Sequence, residues 1–223
     1  MNFKLTKFEA VIFDMDGVLV NSEPYYVEVE QQNFKKLGLN ISKEEHNTYQ
    51  GTATDRMWKT IIEKHGLSQS VEELVEMTNS IVTPYFKSLP AIEPMKGVEK
   101  LIQFLTLINT PLALASSSYS KVIEIILQKT GLKKYFKVVV DSEMAGSSKP
   151  EPDIFLLAAK KLGVQPKKCI VIEDSTNGIK AAKKAGMFCI AFAGPGSELQ
   201  DQSEADLIIS NFSEVVDAIS KSH

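Results

Sequence analysis

Asp14 and Asp16 stand two residues apart at the end of the apolar run Val11-Ile12-Phe13, and Gly17 follows them. On an extended chain two such side chains point the same way, about 7 Å apart at the rise of a strand. Gly17 lets the chain turn sharply after them. Carboxylates this close repel unless a cation lies beside them or one stays protonated. Either outcome is chemistry. Beside a cation, one Asp can face a phosphate as a nucleophile. Held protonated, the other can give its proton to a leaving oxygen. A calcium loop is the rival reading, but it needs Glu at its twelfth position. Counting from Asp14, that residue is Tyr25, and a strand-like run rather than a helix precedes.

Three further segments carry suitable groups. Leu114-Ala115-Ser116-Ser117 places hydroxyls at the end of an apolar run, where they and the backbone N–H groups suit phosphate oxygens; alone, a serine stretch reads as a turn. Ser148-Lys149-Pro150-Glu151-Pro152-Asp153 holds Lys149 in a stiffened segment, since a residue before proline is pushed towards extended backbone. That lysine either neutralises phosphate charge or sits exposed before a helix. Val171-Ile172-Glu173-Asp174-Ser175 ends an apolar run in adjacent acids. Such hard oxygen ligands suit Mg²⁺, and Asp174 or Ser175 would equally serve as a helix N-cap. Together the four segments supply a nucleophile, an acid/base, hydroxyls, a cation and metal-binding acids.

Each segment needs an element to position it. The C-terminal half alternates strand-like runs (Pro111–Ala115, Lys137–Val140, Cys169–Ile172, Met187–Ala193 and Leu207–Ile209) with helical stretches that glycines close. That rhythm predicts an α/β fold: a Rossmann-like, mainly parallel sheet with helices on both faces. In such sheets ligands bind outside the carboxyl ends of the strands, where Asp14, Ser116 and Asp174 all fall. The stretch from Asn21 to Ile92 breaks the rhythm with three helical patterns, Glu23–Leu37, Thr54–His65 and Val71–Lys87. Pro84 is expected to kink or break the last. The expected organisation is therefore a core of residues 1–20 and 92–223, and a helical cap of residues 21–91 inserted after the first strand.

The 223 residues are 43% hydrophobic, enough for one good core plus a small accessory domain. A net charge of −3 does not resemble a nucleic-acid binder. Cys169 and Cys189, both in apolar runs, read as reduced, buried strand residues. Asp14 and Asp16 interrupt the first apolar run, and no stretch reaches membrane-spanning length; a cytoplasmic, monomeric protein is expected. There is no phosphate-binding loop ending in Gly-Lys-Ser/Thr, and His46, His65 and His223 are scattered.

In this order, the four segments closely resemble the four motifs of the haloacid dehalogenase superfamily, and the whole chain resembles its β-phosphoglucomutase-like branch. The resemblance implies that Asp14 attacks phosphorus to form an aspartyl-phosphate, and that Asp16 protonates the leaving group and then activates water. Ser116 and the Ser117 backbone would hold the phosphoryl group beside Lys149. Mg²⁺ would be bound by Asp14, the Asp16 backbone carbonyl and Asp174, with Glu173 as a further ligand or orienter. The implied partner is a small phosphorylated metabolite, with Ser22, Glu23, Tyr26, Thr52, Arg56 and Trp58 as candidate readers on the cap. Mutases of this branch use a cap His where Tyr26 stands, an Arg just after a Gly where Arg56 comes late after Gly51, and a Lys near Thr78. Those departures favour a Mg²⁺-dependent phosphatase acting on a small monoester such as a sugar phosphate. A sugar-phosphate mutase is the alternative, and a non-catalytic phospho-acceptor module is a further one.

Overall fold

The computed structural model describes residues 8–220; residues 1–7 and 221–223, among them His223 and the start of the expected core, lie outside the described residues. In chain order the elements are β1 (Ala10–Phe13), α1 (Glu23–Lys36), α2 (Lys43–Asn47), α3 (Thr54–His65), α4 (Val71–Ser88), α5 (Val98–Leu107), β2 (Leu112–Ser116), α6 (Ser120–Lys129), β3 (Val138–Asp141), α7 (Ser142–Ala145), α8 (Asp153–Leu162), β4 (Cys169–Glu173), α9 (Thr176–Lys184), β5 (Phe188–Phe192), β6 (Leu207–Ile209) and α10 (Ser213–Ser220).

The six strands form one sheet in the order β3-β2-β1-β4-β5-β6, and every neighbouring pair is parallel. Period-two alternation divides each central strand between two cores. Val11, Phe13, Leu112, Leu114, Ile170 and Ile172 face the apolar sides of α5, α6 and α10. Ala10, Ile12, Ala113, Ala115, Cys169 and Val171 face those of α8 and α9. Helices therefore cover both faces, and small residues on the second face bring α8 and α9 close. The chain runs outward from β1 through β2 to β3, then crosses back to β4 on the other side of β1. That reversal opens a crevice beyond the carboxyl ends of β1 and β4.

Helices α1 to α4 stand between β1 and α5 and hold a cluster of their own around Phe34, Tyr49, Met57, Trp58, Ile61 and Leu74. The two chain passages that join this helical insert to the sheet run together: Val20 bridges Pro94, and Met95 N–H donates to Leu19 C=O at 2.7 Å. The break expected as one outcome at Pro84 does not occur: helix α4 runs through Pro84 to Ser88. Pro84 is exposed, while Leu74, Thr78, Val82 and Phe86 form one buried stripe at a spacing of four that crosses the proline. Packing on both sides of the proline outweighs the one hydrogen bond that it removes. Helix α5 goes beyond the sequence reading, although Val98, Leu101, Ile102 and Leu105 carry a clear helical spacing. Both cysteines are free and buried. Among the described residues no helix is long and apolar enough to cross a membrane.

Candidate active site

Asp14 is the first residue beyond β1, and its N–H donates to Ile172 C=O of β4 at 2.9 Å. The two strand ends are thus tied where their acids emerge. Met15, fully buried, anchors the chain between Asp14 and Asp16. The chain then turns back at Gly17 (φ 81°), whose N–H donates to Val20 C=O at 2.8 Å.

Lys149 lies at the centre. It is buried, and its Nζ donates to Asp14 Oδ1 at 2.5 Å, Glu173 Oε1 at 2.6 Å and Ala115 C=O at 3.2 Å. The exposed-lysine reading of the sequence therefore fails. Burial alone would push the proton off this amine, but the charges of Asp14 and Glu173 hold it on, with a pKa above the usual lysine range.

Glu173 accepts on its other oxygen from Asp174 N–H at 2.8 Å, Ser175 N–H at 2.9 Å and Ser175 Oγ at 3.1 Å. Ser175 caps α9 by accepting from Gly178 N–H at 3.1 Å, so the acids and the helix cap of this segment coexist. Carboxylate oxygens of Asp14, Glu173 and Asp174 come within 4.8 Å of one another. Three acids thus share one ammonium. Burial foremost raises the pKa of Asp14 and of Asp174 well above the usual range; neighbouring acid charges add to this, and Lys149 opposes it. A cluster so short of positive charge, made of hard oxygens, suits a divalent cation of the Mg²⁺ type.

Asp16 faces hydroxyls instead. Its Oδ1 accepts from Ser22 Oγ, and its Oδ2 from Ser118 Oγ at 2.6 Å and Ser116 Oγ at 3.2 Å. Burial raises its pKa and the three hydroxyls pull it back. Ser117 Oγ is buried without a hydrogen-bond partner, on the cavity that Asp14, Asp16, Lys149 and Asp174 also line.

The helical insert forms the opposite wall of that cavity. Glu23, Tyr26 and Glu30 come from one stripe of α1, Gln50 to Ala53 from the loop before α3, Thr54 from the start of α3, and Thr78 and Asn79 from α4. The insert touches the sheet side at several points. Tyr26 OH and Ser118 Oγ share a hydrogen bond of 2.7 Å, and Gln200 Nε2 donates to Gln50 C=O at 3.1 Å. Arg56 Nε donates to Ser148 Oγ at 2.9 Å, and that hydroxyl donates to Asp55 Oδ2 at 3.1 Å.

Of the residues picked from sequence, Asp14, Asp16, Ser116, Ser117, Lys149, Glu173 and Asp174 converge at the sheet edge. Glu23, Tyr26 and Thr52 line the cavity, and Ser22 reaches it through Asp16. Arg56 and Trp58 do not line it. Trp58 is fully buried and donates Nε1–H to Thr78 Oγ1 at 2.9 Å, so it sets the wall from behind. Sequence reasoning missed Ser118 and Glu30. Both had a signal: a third hydroxyl in a serine run, and an acid one i+7 step from Glu23 on a helix.

A model of the haloacid dehalogenase-like hydrolase family matches residues 11–192. The chain is 33% identical over 179 residues to a phosphorylated carbohydrates phosphatase of Thermotoga maritima, covering 80% of this chain and 82% of that one. It is 31% identical over 188 residues to the fructose-1-phosphate phosphatase YqaB of Escherichia coli, covering 81% of this chain and 94% of that one. Among solved structures it resembles β-phosphoglucomutase from Clostridium difficile with a TM-score of 0.81 and 25% identity, covering 96% of this chain and 98% of that one.

Proposed function

This chain belongs to the haloacid dehalogenase-like hydrolase family, and from that premise we propose that it hydrolyses a small phosphate monoester, a phosphorylated sugar or polyol, through an aspartyl-phosphate. The observation that carries the reading is the buried Lys149 ammonium bonded at once to Asp14 and Glu173, beside Asp174.

The roles follow from the geometry. Asp14 is the nucleophile: a carboxylate oxygen attacks phosphorus, and the ester P–O bond breaks. Asp16, whose pKa burial has raised, gives its proton to the departing oxygen. The carboxylate so formed then takes a proton from water, which attacks phosphorus and returns Asp14 and inorganic phosphate. Lys149 balances phosphate charge while holding Asp14 in place, and Ser116 and Ser117 supply hydroxyls to the phosphoryl oxygens. Asp14, Asp174 and the Asp16 backbone carbonyl would hold Mg²⁺, with Glu173 orienting Lys149 and the start of α9. When bound, the ion would screen the repulsion between the phosphate and the carboxylates.

Residues 21–91 act as a cap over a core of residues 1–20 and 92–223, excluding water from the site. The test is hydrolysis of an aryl phosphate with and without Mg²⁺, in the wild type and in Asp14→Asn. Mg²⁺-dependent release of phosphate that disappears in a folded Asp14→Asn supports the proposal; wild-type-like turnover by that variant would falsify it.

A further inference from the structure

The cavity wall opposite the phosphate site has an unusual charge. Only one arginine occurs in the sequence, Arg56, and it is bound to Ser148 Oγ at 2.9 Å and to Ser148 C=O at 3.5 Å instead of lining the cavity. Among the described residues Lys149 is the one lysine on that lining, and it is committed to Asp14 and Glu173. Thr78, on the wall from α4, is saturated: its hydroxyl accepts from Asn33 Nδ2 at 3.1 Å and Trp58 Nε1 at 2.9 Å, and donates to Leu74 C=O at 2.9 Å.

The same wall presents two carboxylates, Glu23 and Glu30, one stripe of α1 apart. Glu30 is bonded to His46 Nε2 at 2.6 Å. The charges of Glu30 and Asp16 act on Glu23, the Gln50 side chain is its hydrogen-bond partner, and His46, already bonded to Glu30, is the one cation that acts on it. A group leaving from the proton of Asp16 therefore meets two acids set among neutral side chains such as Tyr26, Thr52 and Asn79. A second phosphate or a carboxylate at that end would be desolvated against like charge. Hydroxyls or an ammonium at that end would donate to the Glu23 and Glu30 carboxylates.

Resting on the phosphatase reading above, we infer that the α1 wall selects a substrate with a single anionic group, whose far end carries hydroxyls or an amine, and that Glu23 accepts its hydrogen bonds. The same wall disfavours a bisphosphate, the intermediate that a sugar-phosphate mutase must hold.

The test pairs glycerol 3-phosphate with 3-phosphoglycerate, which differ in a CH₂OH against a carboxylate. It adds glucosamine 6-phosphate and glucose 1,6-bisphosphate. Each is read at pH 8, where Glu23 with its pKa raised to about 7 is ionised, as kcat/KM where turned over, and otherwise as an inhibition constant against an aryl phosphate. The expected result favours glycerol 3-phosphate over 3-phosphoglycerate by about tenfold or more, as one like-charge contact near a protein surface would impose. Glu23→Gln should narrow that ratio at least threefold, and Glu23→Lys should reverse it. Equal or better use of the phosphorylated acid, or a ratio unchanged in Glu23→Gln, overturns the inference. So does a loss confined to 3-phosphoglycerate in Arg56→Ala, which would show the guanidinium leaving Ser148 for the ligand. Without Mg²⁺-dependent aryl phosphate turnover, the phosphatase reading fails and takes this one with it; aryl turnover without discrimination removes this one alone.

Discussion

Gly17 and Asp174 approach so closely that a Cβ placed on residue 17 would lie 2.1 Å from Asp174 Oδ2 and 2.5 Å from its carboxyl carbon. The glycine is needed twice over, because its φ of 81° is also one that side chains rarely adopt. Gly17→Ala should push the Asp174 carboxylate out of the acid cluster. We expect a rise in the Mg²⁺ concentration needed for half-maximal rate and a loss of about 100-fold or more in kcat/KM, the scale of a misplacement near 1 Å. Mg²⁺ titrations of phosphate release, with circular dichroism to check the fold, measure both. An unchanged Mg²⁺ requirement would show that Asp174 does not serve the ion.

The buried ammonium of Lys149 compensates charges that burial already penalises. Lys149→Met removes it and leaves Asp14 and Glu173 facing each other. The expected cost is about 3–5 kcal/mol of stability near neutral pH, the usual result of stripping one partner from a buried ion pair. The sign with pH follows. Without Lys149 the folded-state carboxyl pKa rises further above its unfolded value, so the variant keeps its stability at low pH and loses it as pH rises through the carboxylate range. Urea unfolding of both proteins at pH 4.5 and pH 8 in metal-free buffer should show the gap widening upward. A gap that is constant, or that narrows, contradicts the assigned burial of charge.

The sheet and the catalytic edge were legible because their physics is local. Apolar runs such as Val11–Phe13 and Cys169–Ile172 end in acids, and buried strands and their exits leave that imprint. The burial of Lys149 was not legible: it comes from the meeting of Asp14, Ala115 and Glu173 on three different strand ends. Arg56 shows the same limit. Its place on the expected cap, soon after Gly51, made it a candidate substrate reader, but the partner that claims it lies 92 residues away. A break at Pro84 stayed open on the sequence, because a local hydrogen-bond count omits the packing of Val82 and Phe86.

Ser148 joins the helical insert to the residue before Lys149. It accepts from Arg56 and donates to Asp55, both on α3. The insert's position is thereby passed to the backbone that carries the buried ammonium. Arg56→Gln and Ser148→Ala should each lower kcat/KM by about tenfold for all substrates alike, and the double variant should fall little further, because the Arg56–Ser148 side-chain hydrogen bond that both lose can be lost only once. Losses that multiply in the double variant would mean that the two residues act independently. Steady-state kinetics on the four proteins, with one hydroxylated phosphate ester as substrate, complete the cycle.

Glu23 gives the insert a pH-dependent stability of its own. Burial foremost, then the charges of Glu30 and Asp16, raise its pKa from 4.5 to about 7, against the opposing pull of His46 and Gln50. The folded state therefore holds this proton more tightly than the unfolded chain does. Its contribution is complete below pH 4.5 and is lost as pH climbs to about 7. The full shift would correspond to roughly 3 kcal/mol, an upper bound for a group that keeps some contact with solvent. Glu23→Gln has no proton to lose and should be the more stable protein at pH 8, by about 1–3 kcal/mol. Near pH 4.5 the advantage should vanish, because wild-type Glu23 is then also neutral in the fold. Thermal melts of both proteins across that range, in chelator, give the difference directly. A wild type that remains the more stable at pH 8 would mean that the carboxylate is paired in the fold and does not stand uncompensated on the cavity wall.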